Sequence, residues 1–177
     1  TNPVFYEFFF QRFWMPKDRH FDEAGVIQWL TSYALNRYGI APKEITDGLA
    51  KLERSVYSPV REQEGCTESI LCARPGRNVQ KASTWSSGSM YYKPQDVQDA
   101  AMDYIAAAEK HPELMQQETF RYDLIDITRQ FATDLARPLL AATMEAYDAG
   151  DKKEYARLSG LFLSMMQDLD NLLGTHK

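Results

Sequence analysis

The chain has 177 residues, 44% of them hydrophobic and 25% charged, which is the balance of a soluble globular domain rather than a disordered or collagen-like one. Twenty Lys+Arg against twenty-five Asp+Glu leave a formal charge of -5, and no basic run is longer than Lys152 and Lys153, so a nucleic-acid partner, which needs a concentrated cationic face, is excluded. The longest apolar stretches fall far below the roughly 20 residues of a membrane span, which excludes a transmembrane helix.

In chain order, Asn2 and Pro3 read as the cap and first residue of a helix, because proline at that position forfeits only a donor that has no partner anyway. Val4, Phe5, Tyr6, Phe8, Phe9, Phe10, Phe13 and Trp14 then occupy every side of it. A helix apolar all round cannot keep a wet face, so it is expected to be sandwiched, with a second covering surface supplied by further polypeptide. The next helix runs from about Asp22 to Tyr38, with Val26, Trp29, Leu30 and Tyr33 at helical spacing and Gly39 as its stop. Pro42 opens a third, in which Ile45, Leu49, Leu52 and Val56 step by four, three and four.

From about 58 to 94 the periodicity fails and Pro, Gly, Ser and Thr collect. A long irregular loop inside a folded domain tends to carry function. Helix resumes after Pro94, with Val97, Ala101, Tyr104, Ile105 and Ala108 on one side, and ends near His111. Two long helices close the chain. One carries the stripe Phe120, Leu124, Ile127, Phe131, Leu135 and Leu139; the other carries Tyr155, Leu158, Phe162, Met165, Leu169 and Leu172. Gly150 and Asp151 turn between them, which makes the pair antiparallel neighbours, and Pro138 is expected to kink or break the first. The fold class is therefore all-α: a helical bundle over 1–177 with a long irregular loop and no substantial sheet.

Residues able to carry chemistry are few. His20, His111 and His176 lie far apart and form no metal-binding pair, so no metal and no cofactor is expected. Cys66 and Cys72, six apart, fit neither a redox pair nor a zinc site, and leave a local disulfide or two free thiols open. Glu62, Glu64 and Glu68 gather in the loop with Arg61 and Arg74; two carboxyl groups are what glycoside cleavage uses, although charged loop residues are usually only solvated. Trp85, Tyr91 and Tyr92 form a possible sugar-stacking platform, and loop packing on the bundle explains them equally well. In the run from Phe120 to Gln130, Arg121, Asp123, Asp126 and Arg129 read as structural groups half buried at a helix start, tying the long loop or a neighbouring domain to the bundle.

Several strings resemble the C-terminal helical region of the alpha-N-acetylglucosaminidases, glycoside hydrolase family 89: Asn2-Pro-Val-Phe-Tyr6, Arg37-Tyr-Gly39, Arg54-Ser-Val-Tyr57, Gln63-Glu-Gly-Cys-Thr-Glu-Ser69, Cys72-Ala-Arg-Pro75 and Phe120-Arg-Tyr-Asp-Leu-Ile-Asp-Ile-Thr-Arg-Gln130. They follow the family's order across nearly the whole chain. The resemblance implies a retaining enzyme that removes terminal alpha-linked N-acetylglucosamine from glycans, with both catalytic glutamates in a barrel domain outside this chain. It also implies that the helical part packs on that barrel and walls the sugar pocket through Glu64, Cys66, Thr67 and Glu68. Some members place a histidine in this loop, where the present chain has Cys66, Thr67 or Glu68 instead. No Asn-x-Ser/Thr acceptor is present, which favours a secreted or periplasmic bacterial protein over a lysosomal one like the animal member. The alternative reading is a stand-alone helical glycan-binding or protein-interaction module.

Overall fold

The computed structural model describes residues 3–17, 20–58, 69–74, 76, 79 and 90–175. Among them six α-helices and two short 3-10 turns follow one another without a strand: α1 (Pro3–Arg12), α2 (Glu23–Tyr38), α3 (Lys43–Glu53), the turn Ile70–Cys72, α4 (Pro94–Lys110), the turn Pro112–Gln116, α5 (Glu118–Asp148) and α6 (Lys152–Leu173). The boundaries follow local chemistry. The Asp22 carboxylate accepts from the Gly25 amide at 2.8 Å and so caps α2, while Gly39 ends it with φ 82°, where a Cβ would be strained. Pro94 opens α4 at its first position. Gly150 (φ 70°) and the cap of Asp151 on the Glu154 amide at 3.0 Å turn the chain from α5 into α6.

The main core lies between α2, α3, α4 and the first half of α5. Leu30, Ile45, Leu49, Leu52, Val97 and Leu114 are fully enclosed there, each burial stabilising by about 1.5–3 kcal/mol. α3 and α4 cross closely because Gly48 has no side chain; a Cβ at that position would stand 3.0 Å from the Tyr104 ring. Tyr104 in turn stacks on Phe120 with centroids 5.8 Å apart, and Tyr38 meets both rings edge-on. Lys51 with Asp103, Arg54 with Asp96 and Lys110 with Glu44 add ion pairs between α3 and α4, of small worth at this exposure. A second, smaller core holds Ile70, Leu71, Ala136, Leu140 and Phe162 between the turn Ile70–Cys72, the second half of α5 and α6.

Three expectations are corrected. Of the kink or break expected at Pro138 the break does not occur, since α5 runs continuously from Glu118 to Asp148: a mid-helix proline removes one hydrogen bond, here to the carbonyl of Asp134, and packing on both sides holds the rest. The apolar stripe of α5 does not continue as read. Leu135 is 47% exposed, and Asp123, Gln130, Thr133, Asp134 and Thr143 are buried instead. Ile105, read as part of the inner side of α4, is 37% exposed. The described residues cover α1 on one side only, through Val4, the edge contacts of Phe8 with Phe21 and Trp29, and a 2.8 Å bond from Trp29 Nε1 to Gln11 Oε1. Phe10 on its other side is open, and the helix ends at Arg12, short of the expected Phe13 and Trp14, which lie open in the turn that follows (70% and 90% exposed).

Candidate functional site

Glu64, Cys66, Thr67 and Glu68, and with them Arg61, Glu62 and Trp85, lie outside the described residues. What the structure gives is how two described pieces of the 58–94 connection are fastened: the turn Ile70–Cys72 in its middle, and Tyr91 and Tyr92 at its returning end. Ile70 and Leu71 are buried in the small core, which pins this middle turn against α5. The hydroxyls of Ser69 and Thr133 are hydrogen-bonded at 3.1 Å. On the returning flank Tyr92 Oη donates to Asp134 Oδ1 at 2.9 Å, and Gln130 Nε2 donates to both Tyr92 Oη (3.0 Å) and Asp134 Oδ1 (3.1 Å). Tyr91 Oη donates to the Val56 carbonyl at 2.7 Å, and the two tyrosine rings meet edge-on at 5.1 Å. The middle and the returning end of the connection thus meet adjacent residues of α5, Thr133 and Asp134. The half-buried Tyr91 and Tyr92 are packed against the bundle with their hydroxyls engaged, as the packing reading has it.

Asp134 is 3% exposed, and its Oδ2 has no hydrogen-bond partner among the described residues. Burial pushes its carboxyl up from the ordinary 3.8 to about 6, against the opposing pull of the Tyr92 and Gln130 bonds and of Arg137. A cavity of about 450 Å³, which Asp134 does not line, is bounded by Ile70, Gly76, Val79, Arg137, Pro138 and Glu145 among others. A carboxyl titrating near 6 has the proton affinity of a general acid, but its described bonding partners are protein groups, so its geometry is that of a fastening.

Eleven positions earlier, close to three turns of helix, the same face of α5 carries Asp123. Arg37 grips it with two bonds, Nε to Oδ2 at 2.5 Å and Nη2 to Oδ1 at 2.8 Å. Tyr38 Oη donates to Oδ2 at 2.6 Å, which leaves Tyr104 as the donor in the 3.1 Å contact between the two hydroxyls. Thr119 Oγ1 adds a bond to the Arg37 carbonyl at 2.7 Å. The Asp123 bond holds Arg37 above its ordinary range, and burial raises Tyr38 and Tyr104. This cluster ties α2 to α4 and α5 rather than to the long connection. Asp126 reaches Arg129 at 2.7 Å as its spacing suggests.

Among the described residues no three His, Cys, Asp or Glu side chains gather in a way that holds a metal ion, and no helix is long and apolar enough to cross a membrane. Cys72 carries a free, exposed thiol. Sequence reasoning missed Thr133, Asp134 and Tyr92 as a unit. The available signal was a polar residue one turn after Gln130 and one turn before Pro138, on the side of α5 that carries Ile127.

Comparison with known proteins gives the class first. The fold matches that of a family 89 glycoside hydrolase from Clostridium perfringens solved with PUGNAc, with a TM-score of 0.82 and 28% identity over 93% of this chain and 18% of that one. The same hydrolase with two glutamates changed to glutamine, solved with its substrate GlcNAc-alpha-1,4-galactose, gives 0.81. The alpha-N-acetylglucosaminidase of Homo sapiens is 30% identical over 149 residues, which are 83% of this chain and 19% of that protein. The chain belongs to the alpha-N-acetylglucosaminidase (NAGLU) C-terminal domain family, whose profile matches residues 29–177. It spans about a fifth of the length of these relatives.

Proposed function

We propose that this chain is the helical C-terminal part of a retaining glycosidase that releases terminal alpha-linked N-acetylglucosamine from glycans, and that the catalytic glutamates stand on a barrel domain of the same polypeptide. The observation that carries the reading is the family match over 29–177, joined to the likeness with a hydrolase solved with GlcNAc-alpha-1,4-galactose. The chain then serves as wall and support. The connection of 58–94 faces the sugar through Glu64, Cys66, Thr67 and Glu68, and the enzyme works outside the cytoplasm. α1 and the turn after it, which precede the matched span, lay Phe10, Phe13 and Trp14 on the barrel. Their exposure supports this, since an apolar patch of that kind marks a contact surface.

The decisive assay sets the isolated chain beside the longer polypeptide with an aryl alpha-N-acetylglucosaminide. Turnover is expected only from the longer one. Clear turnover by the isolated chain, abolished by Glu68→Gln, would overturn the placement of the chemistry. An apolar dye that binds the isolated chain and is excluded from the longer polypeptide is the expected sign of α1 docking. Sugar binding by an isolated chain that excludes the dye, with Trp85 protected, would favour the stand-alone module.

A further inference from the structure

α6 carries more apolar surface than its place among the described helices uses. Of those helices only α5 packs closely along it, against Leu158, Phe162, Met165 and Leu169. A helix at the edge of a bundle needs one such stripe. α6 has a second, turned by one residue from the first: Tyr155, Ser159, Phe162, Met166, Leu169 and Leu173, whose alternating steps of four and three are those of a helix–helix seam. Phe162 and Leu169 belong to both stripes, so the two adjoin. Tyr155, Met166 and Leu173 are nevertheless exposed, and Leu163 beside them is 65% exposed. From Tyr155 to Leu169 this flank carries no charge, whereas Arg157, Ser164, Asp168 and Asn171 stand on the opposite flank and make it the wet one. The open stripe is about 27 Å long and one or two side chains wide, a shape that fits another helix better than a flat surface. Gly160, in mid-helix with open space where a Cβ would stand, weakens α6 for no gain within the described residues; close approach by a partner is what a glycine there permits.

We propose that a helix of the parent polypeptide, from outside these 177 residues, packs along this flank of α6 and sets its own apolar side chains over Ser159 and between Leu163 and Met166. Two observations favour the same polypeptide as the source. The chain spans about a fifth of the length of its relatives, so most of the parent lies outside it. The stripe also runs without a break from the small core through Phe162 and Leu169, so its occupant extends a core already formed rather than meeting a separate surface. The inference rests on the proposed function only for the existence of that longer polypeptide.

The test uses the longer polypeptide, with Cys66 and Cys72 changed to serine. Leu163→Cys places a thiol on the apolar flank and Ser164→Cys places one on the wet flank. Reaction with a maleimide is expected to be at least about tenfold slower at 163 than at 164, and the difference is expected to vanish in denaturant. Equal rates in the folded protein would overturn the inference. A photoactivatable diazirine analogue of leucine at position 163 then identifies the neighbour, and because it keeps the shape of leucine it also decides the matter should the cysteine variant fail to fold. The expected product has the mass of one chain and joins position 163 to a peptide outside these 177 residues. A cross-link to a residue within them would overturn the inference, since the chain would then cover α6 by itself. So would a product of doubled mass, which would make a second copy the occupant. Turnover of an aryl alpha-N-acetylglucosaminide is read separately: a longer polypeptide that shows the cross-link and no turnover would sink the proposed function and leave the packing of α6 standing.

Discussion

α5 carries two buried carboxylates on one face, and they are solved in opposite ways. Asp123 is met by a guanidinium with two bonds and by a tyrosine hydroxyl, so its charge is neutralised where it lies. Among the described residues Asp134 has neutral donors, Tyr92 and Gln130, within hydrogen-bonding distance, and burial raises its proton affinity. The first arrangement ties helices together in the main core. The second ties an irregular connection to the helix. A buried pair is expensive to break from either end, whereas a lone carboxyl can relieve its own burden by taking a proton.

The largest expected effect follows from splitting the first pair. Arg37→Leu strands the Asp123 carboxylate and is expected to lower the stability of the chain by about 3–5 kcal/mol, read by denaturant unfolding. A stability loss below about 1 kcal/mol would mean that solvent reaches Asp123 and that the two clusters differ less than their geometry implies.

Asp134 gives the contrasting pH dependence. With a folded value of about 6 against 3.8 unfolded, the native state binds more protons in that window, so stability falls as pH rises from about 4 to about 6. The penalty is fully present above that range and amounts to something on the order of 2–3 kcal/mol. Asp134→Asn is expected to remove this slope while leaving the fold intact, as thermal unfolding across pH 4 to 7 will show. An unchanged slope would assign the titration to another group.

The third test touches the aromatic floor beneath Asp123. Gly48→Ala forces a methyl to 3.0 Å from the Tyr104 ring and is expected to destabilise by about 1–2 kcal/mol, with a weaker effect in a Tyr104→Leu background. The smallest effect belongs to neither cluster. Trp14→Ser in the open turn after α1 is expected to shift the stability of the isolated chain by no more than about 0.5 kcal/mol. The same change in the longer polypeptide is expected to cost more, because there the indole would be covered.

Much of the helical framework was legible because its signals are local. Asp22 and Gly39 bracket α2, Pro94 opens α4, and Gly150 with Asp151 turns α5 into α6. The rotation of the buried face of α5 was not legible in the same way. Periodicity counts apolar residues, and here the enclosed side carries Asp123, Gln130, Thr133 and Asp134, whose burial depends on partners 38 to 86 positions away in the chain. Pro138 misled for a related reason: the penalty of a mid-helix proline is fixed, but tertiary contacts decide whether the helix survives it. As for the site, the family resemblance pointed to Glu64, Cys66, Thr67 and Glu68, whereas the fastening at Tyr92 and Asp134 emerges only when the returning end of the connection meets α5.

Cys72 offers a practical use of this arrangement. It follows two residues that are locked into the small core, yet its own sulfur faces water. With Cys66 changed to serine, a dye or spin label on that sulfur would ride on the anchored turn without entering the interior, and would report in real time whether the turn shifts while sugar is bound and released.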